Sequence, residues 1–357
     1  MFLDKKALKI PLLITLLMIE ITPEIRAQLE EQKKQCIFCR ISSKEIPSEI
    51  VLDAEGIVGV MDINPCSKAH VLLYTKEHYP IMPYIPSQEF FNLFGSIPQM
   101  SKNIMKASVS DSITIFIANG AVAGQQSPHF LFHMISRESN DRVGSFSLVR
   151  NDVDEKILVQ LIQVLSNNIP VMLQNHKRRN PLMTPKNAVK KTVPDSLYED
   201  EWCTIIMPKE HCTIGHVVVK PKGYDSITDI PVEVSSHIFF VCSFVATALF
   251  ESLGAQGTNI IMHSGNNPDN PEGKCEFHII ARFQDDNIGL LPKPLSSKPN
   301  IKAMADKIRS DKIYIPHQLK EARKRIEQET PKSVDSIDNN ARKEIERAIE
   351  SLKRKQY

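Results

Sequence analysis

Ala69-His70-Val71-Leu72-Leu73-Tyr74-Thr75-Lys76 is followed 146 residues later by Gly215-His216-Val217-Val218-Val219-Lys220-Pro221-Lys222. Two further blocks repeat in the same order at an offset of 145: Ile115-Phe116-Ile117-Ala118-Asn119-Gly120 with Ile260-Ile261-Met262-His263-Ser264-Gly265, and His133-Met134-Ile135-Ser136-Arg137 with His278-Ile279-Ile280-Ala281-Arg282. Three blocks in one order at nearly one offset are the mark of an internal duplication, which has to be recognised before any local pattern is read. The chain is therefore read as two copies of one domain.

Each copy carries the same coarse pattern. A β-rich run ends in the Ala/Gly-His-apolar strand. An amphipathic helix follows, expected over Gln88–Lys106 and again over Val232–Leu253. Two more strands are expected over Ile113–Ala118 with Phe130–Ile135, and over Asn259–His263 with Cys275–Ile280. Antiparallel strands with segregated helices make each copy α+β. The expected domains are an N-terminal extension with a short helix (1–34), a first domain (35–150), a connecting helix and linker (151–194), a second domain (195–300) and a charged helical tail (301–357). The connecting helix is expected over Asp152–Leu173, and the Lys-, Arg-, Asn- and Pro-rich stretch Asn175–Pro194 reads as the linker. Each copy has a short sheet with edges to cover, so the two are expected to join as a pseudo-dimer within the chain.

The flanks are less distinctive. The apolar run Ile10–Ile19 has only ten residues, too few to span a bilayer as a helix, and no small-residue cleavage site follows it. It reads as a disordered extension or as sequence ahead of a start at Met18, with membrane anchoring as the alternative. Thr22 with Pro23 is a helix-start signal for the charged run up to Lys34. From Ile301 onward there are fifteen Lys and Arg against ten Asp and Glu, with Ala341–Lys355 a candidate charged helix. This tail reads as a solvated appendage, with a protein or ribonucleoprotein partner as the alternative. The whole chain of 357 residues has a formal net charge of +2, which argues for no particular partner. Seven cysteines are an odd number in a long chain, which points to reduced thiols and a cytoplasmic setting.

Cys36-Ile37-Phe38-Cys39 is a CxxC pair able to grip one face of a metal ion, and zinc needs two further ligands. His78 and His129 are candidates; a redox dithiol is the alternative, although no strand–CxxC–helix setting surrounds the pair. Together with Ile46-Pro47-Ser48, Met61-Asp62-Ile63-Asn64-Pro65, Ala69-His70-Val71-Leu72 and Asn119-Gly120-Ala121-Val122-Ala123-Gly124-Gln125-Gln126-Ser127-Pro128-His129, this stretch resembles a histidine triad (HIT) protein. The resemblance runs from Cys36 to about Arg137, and more faintly from about Leu197 to Arg282. It implies one structural zinc, held by Cys36, Cys39, His78 and His129. The two-copy layout is also distantly similar to that of galactose-1-phosphate uridylyltransferases.

The family signature places three histidines on alternate strand positions, and hence on one face. Here it reads His129-Phe130-Leu131-Phe132-His133, with leucine in the centre, and the second copy reads Lys274-Cys275-Glu276-Phe277-His278. In catalytic members the central histidine attacks the α-phosphorus, and neither Leu131 nor Glu276 can take that role as an imidazole does. The second copy also lacks the CxxC and has Tyr224 near the place of His78, so no zinc is expected there. Asn119, Gln125 and His133 match positions that hold or flank nucleotide phosphates in the family; Lys274 and His278 are the second copy's candidates. The expectation is a catalytically degenerate nucleotide- or phosphate-binding or assembly module. The alternatives are an active nucleotide hydrolase or nucleotidyltransferase, and an RNA- or ribosome-associated factor.

Overall fold

The computed structural model describes residues 23–54, 56–141, 143, 153–179, 184–185, 192–193, 195–290 and 292–310. The run Ile10–Ile19, most of the linker and the candidate helix Ala341–Lys355 lie outside them. The fold is α+β, built on one antiparallel sheet of ten strands. The first five strands are β1 (Ile50–Ala54), β2 (Ile57–Met61), β3 (His70–Thr75), β4 (Ser112–Asn119) and β5 (Leu131–Arg137). The second five are β6 (Tyr198–Glu199), β7 (Cys203–Ile206), β8 (His216–Pro221), β9 (Gly257–Ser264) and β10 (Glu276–Arg282). Their order across the sheet is β1-β2-β3-β5-β4-β9-β10-β8-β7-β6. With the 145- and 146-residue offsets applied, this order reads the same from either end.

The two halves of the order meet at β4 and β9, which pair from Ile113↔Ser264 to Asn119↔Thr258. Side chains reinforce that joint. Asn259 Nδ2 donates to the carbonyls of Ile117 (3.2 Å) and Ala123 (2.9 Å), and Ser112 Oγ donates to that of Ser264 (2.9 Å). Gly265 turns the chain out of β9 at φ +82°, where a Cβ would lie 2.2 Å from the Asp111 carbonyl oxygen. Only glycine fits so close an approach in that conformation. Arg137, 1% exposed, crosses the joint to Asp269 (2.9 Å) while its fork grips Asp141 (2.7 Å). At the equivalent place Arg282 grips Asp286 at 2.7 Å and Asn259 Oδ1 at 2.5 Å.

Helices pack on both faces, the longer ones on one. α1 (Pro23–Gln35) and α2 (Ile37–Ser42) precede the sheet. α3 (Ser87–Gly95) and α4 (Ile97–Ser108) occupy the place of the single helix expected over Gln88–Lys106. The break falls at Ser96, whose hydroxyl donates to the Leu93 carbonyl at 2.7 Å, just before Pro98. A proline has no N–H to donate and its ring crowds the preceding turn, so Pro98 is tolerated only at the start of a new helix. α5 spans Glu155–Arg179 and α6 spans Val232–Leu253. α5 thus runs six residues past the expected end, because His176 stacks on Phe240 of α6 with ring centroids 4.1 Å apart. α6 is long and apolar enough to cross a membrane by composition, yet most of it is buried within the protein. It packs on α3 through Phe90 against Phe240 and Phe94 against Phe239, and on the sheet through Phe239 against Phe277. A helix enclosed on several sides is apolar all round.

The tail does not begin as a solvated appendage. α7 (Ile301–Ser310) buries Ala305 and Ile308, and Arg309 donates to the carbonyl of Ile50 on β1 at 2.7 Å. The stripe that docks consists of two small or medium apolar residues in a charged decapeptide, which explains why composition alone misplaced it.

Candidate functional site

Cys36 ends the turn between α1 and α2, and Cys39 follows one helical turn later. Their sulfurs face two imidazoles brought in by the sheet: His78 after β3 and His129 before β5. Cys36 Sγ lies 3.5 Å from His129 Nδ1; Cys39 Sγ lies 3.4 Å from His78 Nδ1 and 3.5 Å from His129 Nδ1. All four donor atoms fall within 4.8 Å of one another. A tetrahedral zinc with bonds of about 2.3 Å to sulfur and about 2.0–2.1 Å to nitrogen has a sulfur–nitrogen edge of about 3.6 Å, so the donors fit that ion. His129 Nε2–H donates to the Thr75 carbonyl at 2.9 Å, which leaves its Nδ1 lone pair aimed at the sulfurs. The hydrogen bond shared with Cys39 pushes the Cys36 thiol down. The same shared bond, and then burial, push Cys39 up. A lowered thiol favours the thiolate, the form that ligates.

Asp200, Cys203 and His237 form another buried donor group, which sequence reading missed because no motif links the three positions. His237 Nε2 sits 2.7 Å from Asp200 Oδ2, and Asp200 Oδ1 accepts from the Trp202 and Cys203 amides, both at 2.8 Å. Those are hydrogen-bond lengths on a satisfied carboxylate, and the group clamps α6 to the turn before β7.

Beyond the Cys/His cluster, pleat alternation on β5 sends Leu131 and His133 to one face and Phe132 and Met134 to the other. The Cys66 amide donates to His70 Nδ1 at 3.3 Å, so neutral His70 carries its proton on Nε2 and donates to His133 Nδ1 at 2.9 Å. Burial pushes both His70 and His133 down to about 3, the latter also through His70 itself. His133 thus meets a ligand through Nε2–H. Leu131 joins the apolar group of Phe38, Ile41, Ile46, Ile50, Val58, Val60, Leu72 and Tyr74. On β10 the same relay recurs: His216 Nε2 lies 3.1 Å from His278 Nδ1, and burial pushes His278 down to about 4. The neighbours differ, however. Glu276 stands where β5 has Leu131, and Lys220 on β8 where β3 has Tyr74; the two pair at 2.7 Å.

Three sequence-derived candidates fall elsewhere. Asn119 lies three residues along β4 from Phe116, which faces His133, so alternation turns Asn119 to the opposite face. There its Oδ1 accepts from the Met82 amide at 3.4 Å. Gln125 has its amide committed to the backbone: Oε1 accepts from Gly120 at 2.8 Å, and Nε2 donates to Pro80 at 2.7 Å and Ser127 at 2.8 Å. It braces the loop between β4 and β5. Lys274 precedes β10, lies exposed and pairs with Glu272 at 2.5 Å. The cation on the His278 face is Lys220, which the 146-residue offset from Tyr74 would have identified.

A zinc-fitting Cys/His cluster beside a histidine-bearing strand of one antiparallel sheet defines a class: an α+β protein with a metal-site corner and an imidazole-lined strand face. Residues 43–140 match the family model described as HIT domain. An uncharacterized HIT-like protein of Methanocaldococcus jannaschii is 37% identical over 122 residues, 34% of this chain and 94% of its own length. The Arabidopsis thaliana protein named adenylylsulfatase HINT3 is 31% identical over 38% of this chain and 71% of its own. A Streptococcus mutans protein of solved structure is 30% identical, covering 38% of this chain and 85% of its own, with a TM-score of 0.35. The chain belongs to the histidine triad family.

Proposed function

We propose that this protein is a catalytically degenerate HIT protein: a nucleotide- or phosphate-binding and assembly module with one structural zinc on Cys36, Cys39, His78 and His129. The observation that carries the reading is Leu131, a side chain without a lone pair at the nucleophile position, packed among apolar neighbours beside an intact His70–His133 relay. His133 Nε2–H remains as a donor for an anionic ligand. The reading includes a division into tandem domains at 35–150 and 195–300, joined at β4 and β9 as an intrachain pseudo-dimer; the palindromic strand order supports it. Seven cysteines, an odd number in a long chain, support a reducing, cytoplasmic setting.

The test has two parts. Elemental analysis of the purified chain should return one zinc, and Cys36→Ser should lose it together with much of the first half's stability, since metal binding and folding are coupled at such sites. No zinc, or two per chain, would sink the assignment. Incubation with dinucleoside polyphosphates, nucleoside phosphoramidates or adenylyl sulfate should show no turnover. The competing reading, an active hydrolase or nucleotidyltransferase, is favoured by the name of the Arabidopsis relative, and a labelled phospho-histidine intermediate would establish it. A protein or ribonucleoprotein partner is assigned to the basic segment beyond residue 310; co-purification with and without that segment tests it.

A further inference from the structure

We propose that the second half carries an anion site occupied by the protein's own Glu276 carboxylate, so that a phosphate monoester is excluded there until that charge is removed. The inference rests on reading the His133 and His278 faces as phosphate faces. Glu276 lies two residues before His278 on β10, and alternation puts both side chains on one face. Its Oε1 accepts from Lys220 Nζ at 2.7 Å, and its Oε2 lies 4.0 Å from His278 Nε2. His216 Nε2 lies 3.1 Å from His278 Nδ1, so Nε2 is the His278 ring nitrogen left to face Glu276 and any external anion. Lys220, 42% exposed, is the cation that such an anion would seek. Both groups therefore face a carboxylate tethered on β10, two residues from His278 and one strand away from Lys220.

A tethered partner competes as if present at millimolar concentration or above, with no loss of translational freedom on contact. A free phosphate monoester must displace Glu276 and then lie against its charge. The first half has no such plug: the equivalents of Glu276 and Lys220 are Leu131 and Tyr74, neither of them charged. The duplicated faces have thus diverged, one to a leucine floor and the other to an internal ion pair.

The experiment is isothermal titration of the full-length zinc-loaded chain with AMP. Glu276→Gln keeps the shape, removes the charge, and releases Lys220 and His278. It should bind one more AMP per chain than the wild type. Adding Lys220→Ala to Glu276→Gln should abolish the gain. If the first half binds no AMP, the wild type shows no site and Glu276→Gln shows one, so failure of the first-half reading is distinguishable from failure of this one. Two results overturn the proposal: a folded Glu276→Gln chain with unchanged zinc and no added site, or a wild-type site that disappears in His278→Ala.

Discussion

The imidazole of His133 keeps Nδ1 occupied by His70, and the imidazole of His278 keeps Nδ1 occupied by His216, so each faces outward through Nε2. Holding four imidazoles buried and neutral has a thermodynamic consequence. A histidine whose folded value is depressed binds protons more readily when unfolded, so its contribution is complete above the unfolded value of about 6.5 and is lost as pH falls through the window below it. For His70 and His216, pushed down to about 3 by burial, that window extends from about 6.5 toward 3. Each costs up to about 1.4 kcal/mol per pH unit across it. Urea midpoints should therefore fall between pH 7.5 and 5.0, and His216→Gln should flatten the decline by roughly one histidine's share. An unchanged slope in that variant would remove His216 from the account. If the wild type is inert as proposed, Leu131→His is expected to give weak turnover of nucleoside phosphoramidates, measured against the wild type. A variant that binds zinc and folds yet stays inert would show that the apolar floor, and not the missing imidazole alone, closes the chemistry.

Between elements, the β4–β9 pairing buries a group of polar side chains. Arg137 spans it with Asp141 on its own side and Asp269 on the other, and its Nη1 also donates to Thr114 at 3.2 Å. Removing one member of a buried ion group leaves the others charged and uncompensated, at about 3–5 kcal/mol. Arg137→Ala strands two carboxylates, whereas Asp269→Asn leaves the Arg137–Asp141 fork in place. Chemical denaturation should rank Arg137→Ala well below Asp269→Asn, and equal losses would mean that the crossing contact to Asp269 dominates. The strands of this joint were legible in the sequence, since the repeated blocks place Ile113–Ala118 and Asn259–His263 within the observed β4 and β9. The helix break at Ser96 was masked by continuous apolar spacing on both sides of Pro98. The Lys220–Glu276 pair was hidden by a sequence separation of 56 and became visible only once strand register was known. The zinc-fitting donors were legible because a CxxC carries a spacing that ordinary core residues do not. Asn119 and Gln125 were placed by resemblance, and backbone satisfaction redirected both.

At the scale of the whole molecule, a sheet of ten strands has two outer edges, and each is closed differently. On one side α7 lies along β1, with Arg309 taking the Ile50 carbonyl. On the other, β6 is only two residues long, and the carboxylate of Glu199 is tied to the Thr192 amide at 2.7 Å and to Lys222 at 2.5 Å. Short, covered or charged edges resist further strand addition. The inner edges of β4 and β9 are covered by each other, and fusion in one chain keeps that partner at high effective concentration. The second half is then required for its strand and its apolar face, whatever its own chemistry. The full chain should accordingly run as a monomer in light scattering. A fragment ending before α5 bares β4 along its whole length, and with it Ile113, Ile115 and Ile117 lose the neighbouring strand that protects their backbone. Residues 23–141 alone should therefore dimerise through β4 or aggregate, and adding the separately expressed second half should restore a one-to-one complex. A stable monomer of that fragment, with its zinc bound and β4 unpaired, would show that the halves are independent domains that merely adjoin.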